Sequence, residues 1–222
     1  MKKLLITREL DQNADFTRNL RNNGFEVFGI SFLKFEPVHF EHIPTTDWIF
    51  FYSKHAFQYF LHHPLAKECL NNCKIAAVGS GTAKVIEDAG FVLKFVGEGA
   101  PKEVAEAFLK IVKTDSVLFP HAQYSQNSIK KQIESHTSCQ DIVVYKNNLN
   151  AIQVDFTPDI IVFTSPRNLE AFLINNKISS HQKIISIGPT TSAALKQIGI
   201  SQFLQAGDSS EASLMKSIIE KR

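Results

Sequence analysis

The chain has 222 residues, 44% of them hydrophobic, which is room for two small domains at about 100 to 150 residues each. Its 24 basic and 22 acidic side chains leave a formal net charge of +2, without the basic excess of a nucleic-acid or membrane-surface binder. An anionic ligand therefore has to be held locally.

The N-terminus, MKKLLITREL, carries two lysines, but its apolar run stops at Ile6 and Arg8 follows, too short for a signal-peptide core. No stretch approaches the ~18 apolar residues of a membrane span, so the expectation is a cytoplasmic protein. Val27-Phe28-Gly29-Ile30 reads as a strand, and Lys34 to Pro44 as a polar, proline-bearing linker. Trp48-Ile49-Phe50-Phe51 is apolar throughout, as parallel strands covered on both faces are. Phe57, Phe60 and Leu61 then fall at i, i+3 and i+4, the buried face of a helix. His62-His63, beside Pro64, marks a solvated helix end, because adjacent helical side chains point about 100° apart and do not chelate together. Cys69, Cys73 and Cys139 make no C-x-x-C pair and read as reduced structural thiols.

Ile75-Ala76-Ala77-Val78 is the next strand, followed by the turn Gly79-Ser80-Gly81-Thr82 and a helix stopped by Gly90. Ile142-Val143-Val144-Tyr145 is another strand candidate, and Lys146 to Pro158 a second linker. Ile160-Ile161-Val162-Phe163 and Ile184-Ile185-Ser186-Ile187 are buried strands in their turn. Leu169, Phe172 and Leu173 lie on the helix after the first, and Gly199 stops the helix after the second.

The two halves repeat. Asp47 to Leu61, DWIFFYSKHAFQYFL, matches Asp159 to Leu173, DIIVFTSPRNLEAFL, at an offset of 159 − 47 = 112, which sets Ser53 on Ser165. Lys74 to Gly90 matches Lys183 to Gly199 at 183 − 74 = 109, and Leu4-Leu5-Ile6 resembles Val117-Leu118-Phe119. The stretches after Gly97 and Gly207 also correspond. Stacking repeats have periods of about 20 to 50 residues, so this unit is a whole domain. Strand and helix alternate, which predicts a parallel α/β sheet made twice. Either the chain divides near Lys113, or the two linkers run side by side and both chain ends share one domain; the residues leave both divisions open.

No dinucleotide fingerprint is complete, since Lys84 stands where the third glycine belongs. There is no phosphate-binding G-x-x-x-x-G-K-[ST] loop, G-x-S-x-G elbow or metal-spaced ligand cluster, and no cofactor or metal is expected. Strand-to-helix turns rich in small hydroxyl residues do recur: Tyr52-Ser53, Gly79 to Thr82, Thr164-Ser165-Pro166, Gly188-Pro189-Thr190-Thr191 and Asp208-Ser209-Ser210. Each is an ordinary helix N-cap taken alone. Together they lie where open α/β sheets bind ligands, beyond the strand carboxyl ends, where free backbone N–H groups attract anions. Two such edges facing across a cleft would suit a large polyanion.

The motifs L-I-T-R at Leu5 to Arg8, D-W-I-F-F-x-S-K-x-A at Asp47 to Ala56, V-G-x-G-T-A at Val78 to Ala83, F-T-S-P at Phe163 to Pro166 and I-G-P-T-T at Ile187 to Thr191 run through the chain in order. As a set they resemble the uroporphyrinogen-III synthase family. The resemblance implies two similar parallel-sheet α/β domains joined by a two-stranded linker, the first discontinuous: residues 1–33 with 148–222, and 34–147. It implies a cytosolic, cofactor-free lyase, a monomer, that closes the linear tetrapyrrole hydroxymethylbilane to uroporphyrinogen III, with loss of water and inversion of ring D through a spiro intermediate. Tyr145 matches the family tyrosine placed near the leaving hydroxyl; a phenol of pKa about 10 is protonated at neutral pH. Arg8, Ser53, Thr82, Ser165, Thr190 and Thr191 match substrate-lining positions. His121 and Gln126 stand where the family often has basic residues, which Lys54, Lys84 or Arg167 would have to replace. The alternative is an inactive paralogue or binding module closing on a small anion, and His121 is the departure that favours it.

Overall fold

The computed structural model describes residues 1–207 and 210–219. Asp208 and Ser209, from the last expected hydroxyl turn, lie outside them. In chain order the elements are β1 (Lys2–Ile6), α1 (Asp15–Asn22), β2 (Phe25–Gly29), β3 (Leu33–Pro37), β4 (Trp48–Phe51), α2 (Lys54–Phe60), α3 (Ala66–Asn72), β5 (Lys74–Ala77), α4 (Ser80–Asp88) and β6 (Leu93–Val96). There follow α5 (Pro101–Val112), β7 (Val117–Ala122), α6 (Lys130–Ile133), β8 (Cys139–Leu149), β9 (Ile160–Phe163), α7 (Pro166–Asn175), β10 (Lys183–Ser186), α8 (Pro189–Gln197), β11 (Leu204–Gln205) and α9 (Glu211–Ile219). Among the described residues no helix is long and apolar enough to cross a membrane.

The chain forms two compact units, Met1–Lys34 with Asn148–Arg222, and Phe35–Asn147. The first is built on the sheet β11-β10-β9-β1-β2, whose neighbours all pair in parallel. In the second, β8-β7-β4-β5-β6 pair in parallel, and β3 adds beside β8. Reading the first unit from β9 makes the two topologies the same. β9, β10, β11, β1 and β2 then occupy the places of β4, β5, β6, β7 and β8, so one repeat is a circular permutation of the other. The register agrees, since Ile160 pairs Leu4 as Trp48 pairs Val117.

The continuous apolar strands bury both faces. Leu4, Ile6, Ile160 and Val162 pack with Phe16 of α1 and Leu214 of α9, while Leu5, Ile161 and Phe163 pack with Phe172 of α7 and Leu195 of α8. In the second unit Ile49 and Phe51 face Phe57 and Phe60 of α2, and Trp48 and Phe50 face Phe108 of α5. Period-two alternation splits each run between two helical layers. Leu61 and Leu173, expected on the buried helix faces, are only half-buried, at the margin of those faces. Gly90 (φ +87°) and Gly199 (φ +82°) follow α4 and α8 in the left-handed region that a C-terminal cap uses.

The two stretches read as linkers are strands, as the two-stranded linker of the family resemblance implies. β3 covers Leu33–Pro37, and β8 runs on past Tyr145 to Leu149. Their side chains mix polar residues with apolar ones such as Phe35 and Leu149, and their backbones pair: Val38 N–H donates to Val144 O and Asn150 N–H to Phe32 O, at 3.0 and 2.9 Å. Paired backbone makes these residues strand; side-chain hydropathy could not show it.

Candidate functional site

Parallel pairing brings the carboxyl ends of each unit's strands to one edge. Strand order reverses beside β4 and β7 in the second unit and beside β1 and β9 in the first, the switch points where open α/β sheets hold ligands.

In the second unit β4 ends at Phe51 and Ser53 caps α2, its Oγ accepting the Ala56 N–H at 3.1 Å. The same Oγ lies 3.3 Å from the Tyr145 hydroxyl, and either group can donate. A β-bulge puts Tyr145 there. Pro120 pairs Ile142 and His121 pairs Val143, but Ala122 pairs Tyr145, one residue beyond the unbroken register. Val144 and Tyr145 therefore both pack into the cluster under α2, where strict alternation would part them. The Tyr145 ring stacks on Tyr59 (centroids 5.2 Å, 17°) and touches Phe35 and His55 at 5.9 and 6.1 Å. Tyr145 is 7% exposed, and burial pushes its phenol up from the ordinary value of 10, against the opposing Ser53 hydrogen bond. At neutral pH it holds its proton.

Thr82 lies in the first turn of α4, nearly buried, with its N–H donating to Gly79 O at 3.1 Å; Ser80 and Gly81 are exposed. His121 is only 7% exposed. Its Nδ1 is 2.6 Å from Ala122 O and its Nε2 is 3.6 Å from Asp141, whose carboxylate also meets Lys130. It serves the interior of the sheet end. Gln126 and Lys54 are exposed, Lys84 pairs with Asp88 at 3.3 Å, and Arg167 Nη1 lies 3.8 Å from Glu170.

In the first unit the ends of β1 and β9 are tied by Thr7 and Thr164. Thr164 N–H donates to Thr7 Oγ1 at 3.0 Å and its hydroxyl to Thr7 O at 2.7 Å. Arg8 follows, its guanidinium 5.5 Å from the Phe16 ring and paired with Glu211 at 2.5 Å. Ser165 caps α7, accepting from Asn168 N and Nδ2 at 3.1 and 3.0 Å, while Asn168 Oδ1 accepts the Phe32 N–H at 2.9 Å. Thr190 is exposed in the first turn of α8. Thr191 is 0% exposed, and its Oγ1 has no hydrogen-bond partner among the described residues.

Of the residues singled out from sequence, a hydrogen bond brings Ser53 and Tyr145 together. Arg8, Ser165, Thr190 and Thr191 share the other unit's strand-end edge. Sequence reasoning missed Asn168, although its place three residues after a capping serine is a legible signal. It also missed Tyr59 and His55, whose link to Tyr145 no spacing announces. Among the described residues no group of three or more His, Cys, Asp or Glu side chains could hold a metal ion. Cys69 and Cys73 lie 3.9 Å apart, Cys73 donating to Thr46 O at 3.0 Å, and burial pushes the Cys69 thiol up to about 12, so it stays protonated.

Topology and pairing define a parallel α/β protein built from a permuted repeat. Residues 14–216 match the family model described as uroporphyrinogen-III synthase HemD, and the chain belongs to the uroporphyrinogen-III synthase family. It is 27% identical to a uroporphyrinogen-III synthase of Chlorobaculum parvum, over 90% of this chain and 91% of that one. It is 24% identical, over 98% of its length, to a porphyrin biosynthesis protein HemD of Ruminiclostridium josui, of which it spans 48%. In fold it is similar to the uroporphyrinogen-III synthetase of Helicobacter pylori (TM-score 0.78, 22% identity, all of both chains) and to a mutant uroporphyrinogen-III synthase of Thermus thermophilus (TM-score 0.59, 13% identity, all of both chains).

Proposed function

We propose that the chain is a uroporphyrinogen-III synthase, a cyclising lyase acting on hydroxymethylbilane as a cytoplasmic monomer without a cofactor, its two compact units being separate domains. The substrate supplies its own reactivity. The electrons of a pyrrole nitrogen expel the hydroxyl and leave an azafulvene electrophile, ring D attacks it through its substituted carbon, and the spiro intermediate reopens and closes with that ring inverted. The protein's task is to fold the chain and assist the departure of the hydroxyl, which is catalysis by positioning.

The observation that carries this reading is Tyr145, a protonated phenol at a switch point, turned by the bulge onto the face where Ser53 meets it. It serves as the acid beside the leaving hydroxyl. Helix-start N–H groups and the hydroxyls of Thr82, Ser165, Thr190 and Thr191 bind the substrate carboxylates at the strand-end edges of their own units. Ser53 belongs to the same edge as Thr82. Arg8, already paired with Glu211, joins in by exchanging that carboxylate for one of the substrate's.

The interior placement of His121 removes one family carboxylate contact and is the observation that favours an inactive, ligand-binding relative. One assay separates the two. Free hydroxymethylbilane closes by its own chemistry to the symmetric type I isomer, so the type III fraction reports catalysis. Purified protein is expected to give predominantly type III with no added metal, nucleotide or flavin; type I alone would leave the binding module.

A further inference from the structure

The contact between Ser53 and Tyr145 has a direction that the chemistry of the two hydroxyls decides. A serine hydroxyl offers one proton and two lone pairs. One lone pair of Ser53 already accepts the Ala56 N–H, and that acceptance polarises its O–H into a better donor. A phenol whose proton pointed inward to Ser53 would have none to give outward. The ring has little freedom to settle the matter otherwise, because Tyr59 stacks on it and Phe35 and His55 flank it.

We propose that Ser53 is a positioning residue: it donates its hydroxyl proton to the Tyr145 oxygen and so leaves the phenol proton free for the departing hydroxyl. This rests on the acid role of Tyr145 argued above. In the step served, the substrate C–O bond breaks, its electron pair leaves with the oxygen, and the Tyr145 proton joins that oxygen to make water. The phenol is restored when the phenolate takes up the proton lost from carbon as the last ring regains aromaticity. A donor on the phenolate strengthens as charge develops there, so the Ser53 bond is worth more in the transition state than before it. The bulge between His121 and Ala122 and the N-cap of α2 are the two local devices that bring the pair together.

The test is the titration of Tyr145 followed by NMR of Cζ-labelled tyrosine, assigned by its loss in Tyr145→Phe. In Ser53→Ala the Tyr145 pKa is expected to rise further, and in Ser53→Thr, which keeps the hydroxyl, to stay in place. Ser53→Gly serves if the alanine variant fails to fold, because glycine is tolerated at an N-cap. Type III formation should slow roughly two- to tenfold in Ser53→Ala, the value of one hydrogen bond, be restored in Ser53→Thr, and change no further when Ser53→Ala is added to Tyr145→Phe. An unshifted Tyr145 titration in Ser53→Ala overturns the proposal. So does equal slowing in both backgrounds, which would put Ser53 on the substrate itself. The titration needs no turnover. A wild type giving only type I would therefore sink the acid role of Tyr145, and the purpose assigned to this bond with it, while the titration still reports whether the bond exists.

Discussion

The Asp47 carboxylate clasps Ser116, accepting its backbone N–H at 2.8 Å and its hydroxyl at 2.7 Å, and so joins the starts of β4 and β7. Asp159, its partner in the repeat, does the same for β9 and β1 by accepting the Lys3 N–H at 2.7 Å. The two acceptors lie 159 − 47 = 112 positions apart and the two donors 116 − 3 = 113, so the sequence repeat is also a repeat of hydrogen bonds.

Acid sensitivity follows from this clasp. The hydroxyl and then the backbone N–H of Ser116 hold the Asp47 carboxyl below its ordinary value of 3.8, and Lys74, then the Trp48 indole, do so for Asp115. A depressed folded-state pKa stabilises the protein above the unfolded value, and the contribution is lost as pH falls from 3.8 through the folded values. Asp47→Asn is therefore expected to flatten the acid arm of the melting temperature between about pH 2 and 5, read by calorimetry. An unchanged acid arm would show that the clasp persists in the unfolded chain or carries no stability.

Tyr145→Phe removes one hydroxyl and keeps the stacked ring, so the variant should fold and bind substrate. Type III formation should fall by up to the 10²- to 10⁴-fold typical of a general acid, nearer the lower end for so reactive a substrate. Because burial raises the Tyr145 pKa above 10, the phenol should impose no loss of rate between neutral pH and that value. Full activity in Tyr145→Phe would make the tyrosine a packing residue.

Thr191→Val is close to isosteric and deletes a buried hydroxyl that has no partner among the described residues. Deleting an unsatisfied polar group should leave the melting temperature unchanged or raise it. A hydrogen bond to a charged carboxylate is worth about 1.5–3 kcal/mol, so the Michaelis constant should rise roughly ten- to hundredfold if Thr191 meets substrate. Unaltered kinetics would remove Thr191 from the site.

Gly97→Ala tests the close approach that follows β6. A Cβ there would lie 2.6 Å from both Val104 Cγ1 and the Val78 carbonyl oxygen. The side chain can rotate, but the backbone carbonyl cannot yield without moving the end of β5. Thermal and denaturant unfolding should show a loss of about 1–3 kcal/mol, the usual cost of overpacking.

The duplication, the parallel strands and the helix stops at Gly90 and Gly199 were legible in the sequence, because burial on both faces writes unbroken apolar runs and a left-handed cap selects glycine. So was the N-cap role of Ser53 and Ser165, which depends on the next three residues alone. The strand pairing of the two linkers was implied by the family resemblance and not legible in their own residues, since their order comes from backbone pairing between segments more than a hundred residues apart. The environment of Tyr145 was hidden for the same reason. A slip of one residue between β7 and β8 decides which face its ring takes, and only the folded sheet brings Ser53 and Tyr59 to it. Arg8 and His121 show the remaining limit. Sequence supplies their charge and position, but packing decides that one pairs with Glu211 and the other turns inward, because the free energy of a polar side chain depends on which partners the fold leaves within reach.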